Sequence, residues 1–293
     1  MLGLIIENKA DLYKVKADDK LYEAHARGKL KKEGISPVVG DNVEITVTDI
    51  EKNIAVIDTI INRKVYIKRP KLANINQIVL VISSINPKPD LLMLDKQLAF
   101  AEFLGIKALI VLNKADLDSD KQFEEIKEIY EKINYEVIVT EAKLSKGIDE
   151  LKNKLSNHIN ALSGNSGVGK STIINKIFSS ELTKEGEISK KNKRGKNTTT
   201  TSFLYEIDEN TYLADTPGFS TFSIEEIESN NLADYFVEFK KYKNLCKYVG
   251  CSHIKEDDCN IKNELEKGNI SKSRYQNYCK IYKELKDKEE HKW

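Results

Sequence analysis

The sequence predicts a multidomain chain: an OB-like β-barrel, an α/β three-layer domain, and a small, mainly helical, metal-binding domain. Three observations predict it. Residues 1–67 hold five short strand-like runs; from residue 77 onward buried strands alternate with helices; and three cysteines and a histidine cluster at 246–259. The corresponding domain bounds are 1–67, 68–228 and 229–293.

In the first part, apolar or alternating runs at 3–7, 11–16, 20–26, 42–48 and 53–61 are separated by short polar or Gly/Pro breaks. Five strands of this length fit an OB barrel, with an SH3-like barrel or an open sheet as alternatives. The basic stretch 27–32 is expected in an inter-strand loop, either a solvated charged loop or a contact for an RNA backbone. A boundary is expected near Arg69-Pro70.

Residues 78–82, Ile-Val-Leu-Val-Ile, read as a central parallel strand covered on both faces. Asp90 caps a helix that runs to Leu104 and stops at Gly105. Strand 108–112 delivers Asn113, and helix 121–133, strand 136–139, helix 148–155 and strand 159–162 follow. After about residue 228 the pattern is polar and helical. Tyr275, Tyr278, Tyr282 and Leu285 recur at helical spacing as a packing face, with Cys279 a packed thiol beside them. The tail 286–293 is charged.

Charged residues make up 32% of the chain, yet the net charge is +1, so no global basic bias announces a nucleic-acid partner. The N-terminus lacks a signal-peptide pattern and no apolar run is long enough to span a membrane, which sets the expectation of a cytoplasmic protein with no membrane partner. The cysteine spacing suits a metal in a reducing compartment better than a disulfide scaffold. No dimerisation heptads appear, and a monomer is expected.

Gly164-Asn165-Ser166-Gly167-Val168-Gly169-Lys170-Ser171 satisfies the phosphate-loop pattern between an apolar strand and a helix opened by Thr172. Its glycines let backbone N–H groups face phosphate oxygens, and the helix N-terminus adds positive potential. Lys170 is placed to bridge the β- and γ-phosphates, and Ser171 to ligate Mg²⁺. Asn113-Lys114-Ala115-Asp116 reads as a guanine loop, because the Asp116 carboxylate can accept the N1–H and exocyclic amine of guanine, a donor pair adenine lacks. Asp215, at a strand end in Asp215-Thr216-Pro217-Gly218, suits magnesium held through water, and the Gly218 N–H faces the γ-phosphate. The loop 190–202 contains Asn197-Thr198-Thr199, where Thr199, or next Thr198, is the expected magnesium ligand. Phe219 stands where many regulatory GTPases place a water-orienting glutamine, so intrinsic hydrolysis is expected to be slow. The guanine loop precedes the phosphate loop, the reverse of the ordinary GTPase order, so the domain reads as circularly permuted.

Cys246, Cys251, His253 and Cys259 form a Cys-x4-Cys-x-His-x5-Cys cluster. Three thiolates and an imidazole make a closed tetrahedral set of the kind that holds one structural Zn²⁺. His25, His158 and His291 have no such company and read as structural or surface groups.

Together with Gly40-Asp41-Asn42-Val43 in the barrel, these motifs resemble the RsgA family of circularly permuted GTPases over nearly the whole chain. The resemblance implies an OB-fold, a permuted GTPase domain and a zinc-binding domain. It further implies GTP hydrolysis to GDP and phosphate stimulated by the small ribosomal subunit, and a role in that subunit's late maturation through rRNA contacts. Two departures stand out. The family's switch histidine is replaced by Asn197, which can hydrogen-bond a water but cannot take its proton near neutral pH. The base-supporting loop reads Thr140-Glu141-Ala142-Lys143 where Ser-Ala or Ser-Ser is usual, though the Ala142 N–H can still serve guanine O6. Two rivals follow: a permuted GTPase acting on the large subunit, and a GTP-gated RNA-binding scaffold with negligible hydrolysis.

Overall fold

A computed structural model describes residues 1–32, 34–182, 202–215 and 224–291. They fall into two compact units. One gathers Met1–Ile78, Ile148–Ser163 and the described part of Ser171–Ser220; the other gathers Val79–Gly147, Gly164–Lys170 and the described part of Thr221–Trp293.

In the first unit β1 (Leu2–Lys9), β2 (Leu12–Ala17), β3 (Lys20–Ala26), β4 (Asn42–Asp49) and β5 (Ile54–Ile60) pair in the order β1-β2-β3-β5-β4. β4 pairs back onto β1, which closes the barrel. Only the β3–β5 pair is parallel among these. Each strand turns alternate residues inward, so Ile5, Val15, Ala24, Val43 and Ile57 are fully buried. Each large aliphatic among them contributes about 1.5–3 kcal/mol by leaving water. This closure and strand order settle the barrel as OB-like over the SH3-like and open-sheet alternatives.

The basic stretch between β3 and β4 is not the loop expected of it. It forms a short helix, α1 (Gly28–Lys32), anchored by Leu30, whose side chain is buried. A single apolar residue among lysines is too weak a periodic signal to mark a helix this short. Arg69-Pro70 forms the turn of a hairpin, β6 (Tyr66–Lys68) with β7 (Lys71–Ala73). Gly40 packs under it: its φ is +90°, and a Cβ there would lie 2.0 Å from the Ala73 carbonyl oxygen. The next residue, Asp41, is fully buried and accepts two hydrogen bonds from the Arg63 guanidinium.

The same unit continues into an open sheet. β11 (Ile159–Ser163) runs parallel to β13 (Thr211–Asp215), β13 antiparallel to β12 (Phe203–Asp208), and β12 meets β1 at Glu7 and Phe203. α4 (Ile148–Leu155) buries Ile148, Leu151 and Leu155 on one face.

β8 (Gln77–Ser83) leads the chain from the first unit into the second, where the strand order is β10-β9-β8. Every residue of β8 is buried, as a strand covered on both faces requires. β9 (Lys107–Asn113) and β10 (Glu136–Thr140) are parallel. α2 (Leu91–Leu104) begins where Asp90 accepts the Met93 N–H and ends at left-handed Gly105, as the sequence predicts. α3 (Gln122–Glu131) follows β9. The C-terminal part consists of three 3-10 turns within 229–245, then α6 (Asn260–Glu266) and α7 (Lys272–Glu290). Among the described residues no helix is long and apolar enough to cross a membrane.

Candidate functional site

The guanine loop and the phosphate loop meet in the second unit through one side chain. β9 ends at Asn113, which is 2% exposed. Its Nδ2 donates to the Val168 carbonyl at 2.9 Å, while its Oδ1 accepts from Thr140 Oγ1 at 3.0 Å and from the Ala142 N–H at 3.2 Å. A single buried amide thus joins the guanine loop, the end of β10 and the phosphate loop. Buried amides persist when all their hydrogen-bond groups are engaged, which makes this a rigid junction.

The chain turns left-handed at Lys114 (φ 65°, ψ 40°), then forms a 3-10 turn, Ala115–Leu117, that leaves Asp116 exposed. A carboxylate so presented can accept paired donors from a purine edge. The Lys114 ammonium donates to the carbonyls of Ile85 (3.1 Å) and Asn86 (2.6 Å), and burial lowers its pKa, as does nearby Lys143.

The phosphate loop needs its glycines for contact as well as for conformation. A Cβ on Gly164 (φ +141°) would lie 2.2 Å from the Val81 carbonyl oxygen, and one on Gly169 (φ +103°) 2.2 Å from Asn113 Nδ2. Asn165 reaches Asp90 at 3.4 Å, Ser166 is exposed and Val168 is buried. The Lys170 ammonium donates to the carbonyls of Gly164 and Asn165, holding the loop closed around it, and burial lowers its pKa. α5 (Lys170–Leu182) starts there, with Ser171 exposed and Thr172 half-buried in its first turn. Asp215 ends β13, but its side chain lies outside the described residues, as do Asn197, Thr198, Thr199, Gly218 and Phe219.

The cysteine cluster lies in the same unit. Cys246 Sγ is 3.5 Å from His253 Nδ1 and 3.8 Å from Cys259 Sγ, and Cys259 Sγ is 3.4 Å from His253 Nδ1. With Cys251, all four ligand atoms lie within 4.8 Å of one another. A tetrahedral ion bound at about 2.3 Å to sulfur sets ligand–ligand edges of about 3.8 Å, so the spacing fits a metal. The chemistry fits as well. Burial pushes the Cys251 thiol up to about 12 and raises Cys259, so this cluster needs a cation to become thiolate. Burial lowers the His253 pKa, which keeps the imidazole in its ligating neutral form.

Groups outside the motif hold the cluster in shape. Glu256 accepts the N–H and hydroxyl of Ser252 and the N–H of Ile254. Burial opposes ionisation of its carboxyl, but these donors win and hold it at about 2. From α7, the Tyr275 hydroxyl donates to the His253 carbonyl and the Tyr278 hydroxyl to the Ser252 carbonyl. The tyrosine stripe is therefore a packing face that also carries hydrogen bonds to the cluster.

A buried ionic network that the motifs do not announce ties the C-terminal segment to α2. Arg274 pairs with both oxygens of Glu238 at 2.8 Å and with Asp95 at 2.7 Å; Asn277 and the Tyr130 hydroxyl also donate to Asp95. Burial raises the Asp95 pKa against these partners, whereas Arg274, between two carboxylates, stays charged despite its burial. The signal was present: Asp95 interrupts the core face of α2 between Leu94 and Leu98, and Arg274 adjoins the tyrosine stripe.

The RsgA GTPase family model matches residues 60–225, and the RsgA N-terminal domain model matches residues 2–56. Small ribosomal subunit biogenesis GTPase RsgA of Clostridium novyi (strain NT) is 40% identical over 293 residues, covering 100% of both chains. The protein of that name from Ruminiclostridium cellulolyticum is 39% identical over 98% of this chain and 94% of its own. The crystal structure of YjeQ from Thermotoga maritima superposes with a TM-score of 0.85 at 33% identity, covering 97% of this chain and 98% of that one. YloQ, described as a circularly permuted GTPase, gives 0.82 at 28% identity over 98% and 95%.

Proposed function

The chain belongs to the RsgA GTPase family, and on that premise we propose that it binds the small ribosomal subunit, assists its late maturation and hydrolyses GTP to GDP and phosphate under that subunit's stimulation. The observation that carries the nucleotide reading is the hydrogen bond from the Asn113 amide to the Val168 carbonyl, which supports reading segments 113–116 and 164–171 as parts of one site. Asp116 reads the base, with Lys114 and Ala115 shaping its loop; the buried Ala142 N–H, assigned to guanine O6, already donates to Asn113 Oδ1 at 3.2 Å and would serve the base only by sharing or leaving that bond. Gly164 to Gly169 offer backbone N–H groups to the phosphates, and Lys170 leaves its two loop carbonyls to take a β- or γ-oxygen. Ser171, Thr199 and Asp215 are assigned to Mg²⁺, with Thr172 beside them and Gly218 toward the γ-phosphate. The magnesium ion neutralises phosphate charge when bound.

Water attacks the γ-phosphorus and the bond to the β–γ bridging oxygen breaks, releasing GDP and phosphate. With Asn197 in the family's histidine position, this chain orients that water without accepting its proton, so the subunit is assigned the completion of the site. Membership of a GTP-hydrolysing family sets aside the scaffold reading. Cys246, Cys251, His253 and Cys259 are assigned one structural Zn²⁺. The domain division 1–67, 68–228 and 229–293, rRNA contacts by the barrel and zinc domain, a cytoplasmic setting, a monomeric state and the lack of a membrane partner complete the proposal.

Cosedimentation with separated ribosomal subunits, in a non-hydrolysable GTP analogue and in GDP, tests the partner. Retention on the small subunit in the analogue, with release in GDP, supports the reading. Retention on the large subunit alone moves the client to the rival assignment.

A further inference from the structure

β8 ends at Ser83 and Ser84 follows it directly, both buried, at the carboxyl end of a strand in a sheet whose β9–β10 pair is parallel, the edge at which such sheets place ligands. Neither belongs to a nucleotide motif. Ser83 Oγ donates to the Pro87 carbonyl at 2.8 Å and closes the 83–87 turn on itself. Ser84 Oγ donates outward, to the Lys114 carbonyl at 2.8 Å. Lys114 returns the grip, its ammonium donating to the carbonyls of Ile85 and Asn86. The 84–86 segment thus holds Lys114 at both ends, by its carbonyl and by its ammonium. On its other side the turn faces the phosphate loop: a Cβ on Gly167 would meet Pro87 Cδ at 3.5 Å and the Asn86 carbonyl oxygen at 3.7 Å.

What makes this grip consequential is the conformation it fixes. Lys114 has a φ of 65°, a left-handed backbone that disfavours any residue with a Cβ. Such a residue persists only when its surroundings over-determine it, and it lies two residues before Asp116. Were Lys114 to relax to an extended backbone, the Ala115–Leu117 turn would swing and the carboxylate would leave its present position.

We propose that Ser84 is a positioning and specificity-determining residue of the nucleotide site: its hydroxyl holds Lys114 left-handed so that Asp116 presents its carboxylate to the amine-bearing edge of guanine. This rests on the guanine-loop reading above. Ser84 acts through Lys114 and touches no reacting atom. The loss of its hydroxyl therefore weakens base reading before it weakens hydrolysis.

The test uses the full-length, metal-loaded chain and nucleotide binding by fluorescent GDP and IDP, the inosine base lacking the exocyclic amine that Asp116 reads. Asp116→Asn is measured first. A shift of preference from GDP to XDP supports the guanine loop; unchanged preference overturns that reading and this inference with it. Given the shift, Ser84→Ala is expected to weaken GDP about fivefold to tenfold, the scale of one lost hydrogen bond to a structured carbonyl. The IDP-to-GDP ratio of Kd should fall toward unity, and KM for GTP should carry more of the loss in kcat/KM than kcat does. Ser84→Thr, which keeps the hydroxyl, should retain the wild-type ratio. If Ser84→Ala is insoluble, Ser84→Cys, which fills the same space with a poor donor, gives the same reading. A GDP affinity and an IDP-to-GDP ratio unchanged in the hydroxyl-free variant overturn the inference. An equal loss for both nucleotides overturns it as well, because that is what general loosening of the fold would do.

Discussion

Asn113 and Cys259 are buried in the same compact unit, yet their surroundings hold together by opposite means. Around Asn113 the protein satisfies itself: a carbonyl, a hydroxyl and an N–H occupy the amide, Lys114 rests on carbonyls of the adjoining 84–87 turn and Lys170 on carbonyls of its own loop. Around Cys259 the polar atoms converge on a common centre and burial works against the charged forms they need. The first region is preorganised for its ligand, so binding energy goes to recognition. The second is a donor set that could hold a cation, and a cation bound to such a set contributes its binding energy to folding.

Four experiments separate the two regions. The largest effect is expected from removing the metal. Structural zinc contributes roughly 10–16 kcal/mol in small modules. Chelation, or Cys259→Ser, should therefore abolish the one-to-one metal content read by atomic absorption and unfold 246–259 by hydrogen exchange. GDP affinity should change much less. A parallel collapse of both would show the regions to be one cooperative body.

Next is Arg274→Met, which leaves Asp95 and Glu238 buried without their cation. Breaking such a pair costs about 3–5 kcal/mol, read as a lowered urea midpoint; replacing all three by apolar residues should recover most of it. Gly169→Ala comes third. It forces a Cβ against Asn113 Nδ2 at a backbone angle hostile to alanine, and GDP affinity should fall about 100-fold, equivalent to about 2.7 kcal/mol. Metal content should stay at one, since the clash falls on the self-satisfied region.

The smallest is Glu256→Gln. The carboxyl is held at about 2 against an ordinary 4.5, so its contribution is fully present above about pH 4.5 and disappears as pH falls through 2. Because the group is half-exposed, solvent screening reduces that contribution to about 1 kcal/mol. The gap in urea midpoint between wild type and variant should therefore be flat from pH 7 to 5 and close below pH 4.5.

The two regions also differed in how far the sequence exposed them. The cysteine cluster was legible because its ligands crowd into one short stretch, and α2 was legible from Asp90 to Gly105 because capping chemistry is local. The permuted motif order was legible for the same reason. The Arg274–Asp95 pair was legible only in its halves: each residue sits beside an apolar face, but 179 positions separate the partners and nothing local pairs them. The grip of Ser84 on Lys114 spans 30 positions and depends on a backbone angle that residue identity does not announce in a lysine. Helix α1 escaped because one buried leucine among lysines looks like a loop.

The small ribosomal subunit is proposed to complete this nucleotide site. GTP turnover measured alone, with purified small subunits and with purified large subunits tests it most directly. Turnover should be slow alone, rise at least about tenfold with small subunits, a lowering of the barrier by about 1.4 kcal/mol or more, and not rise with large subunits. Turnover that small subunits leave unchanged would contradict it.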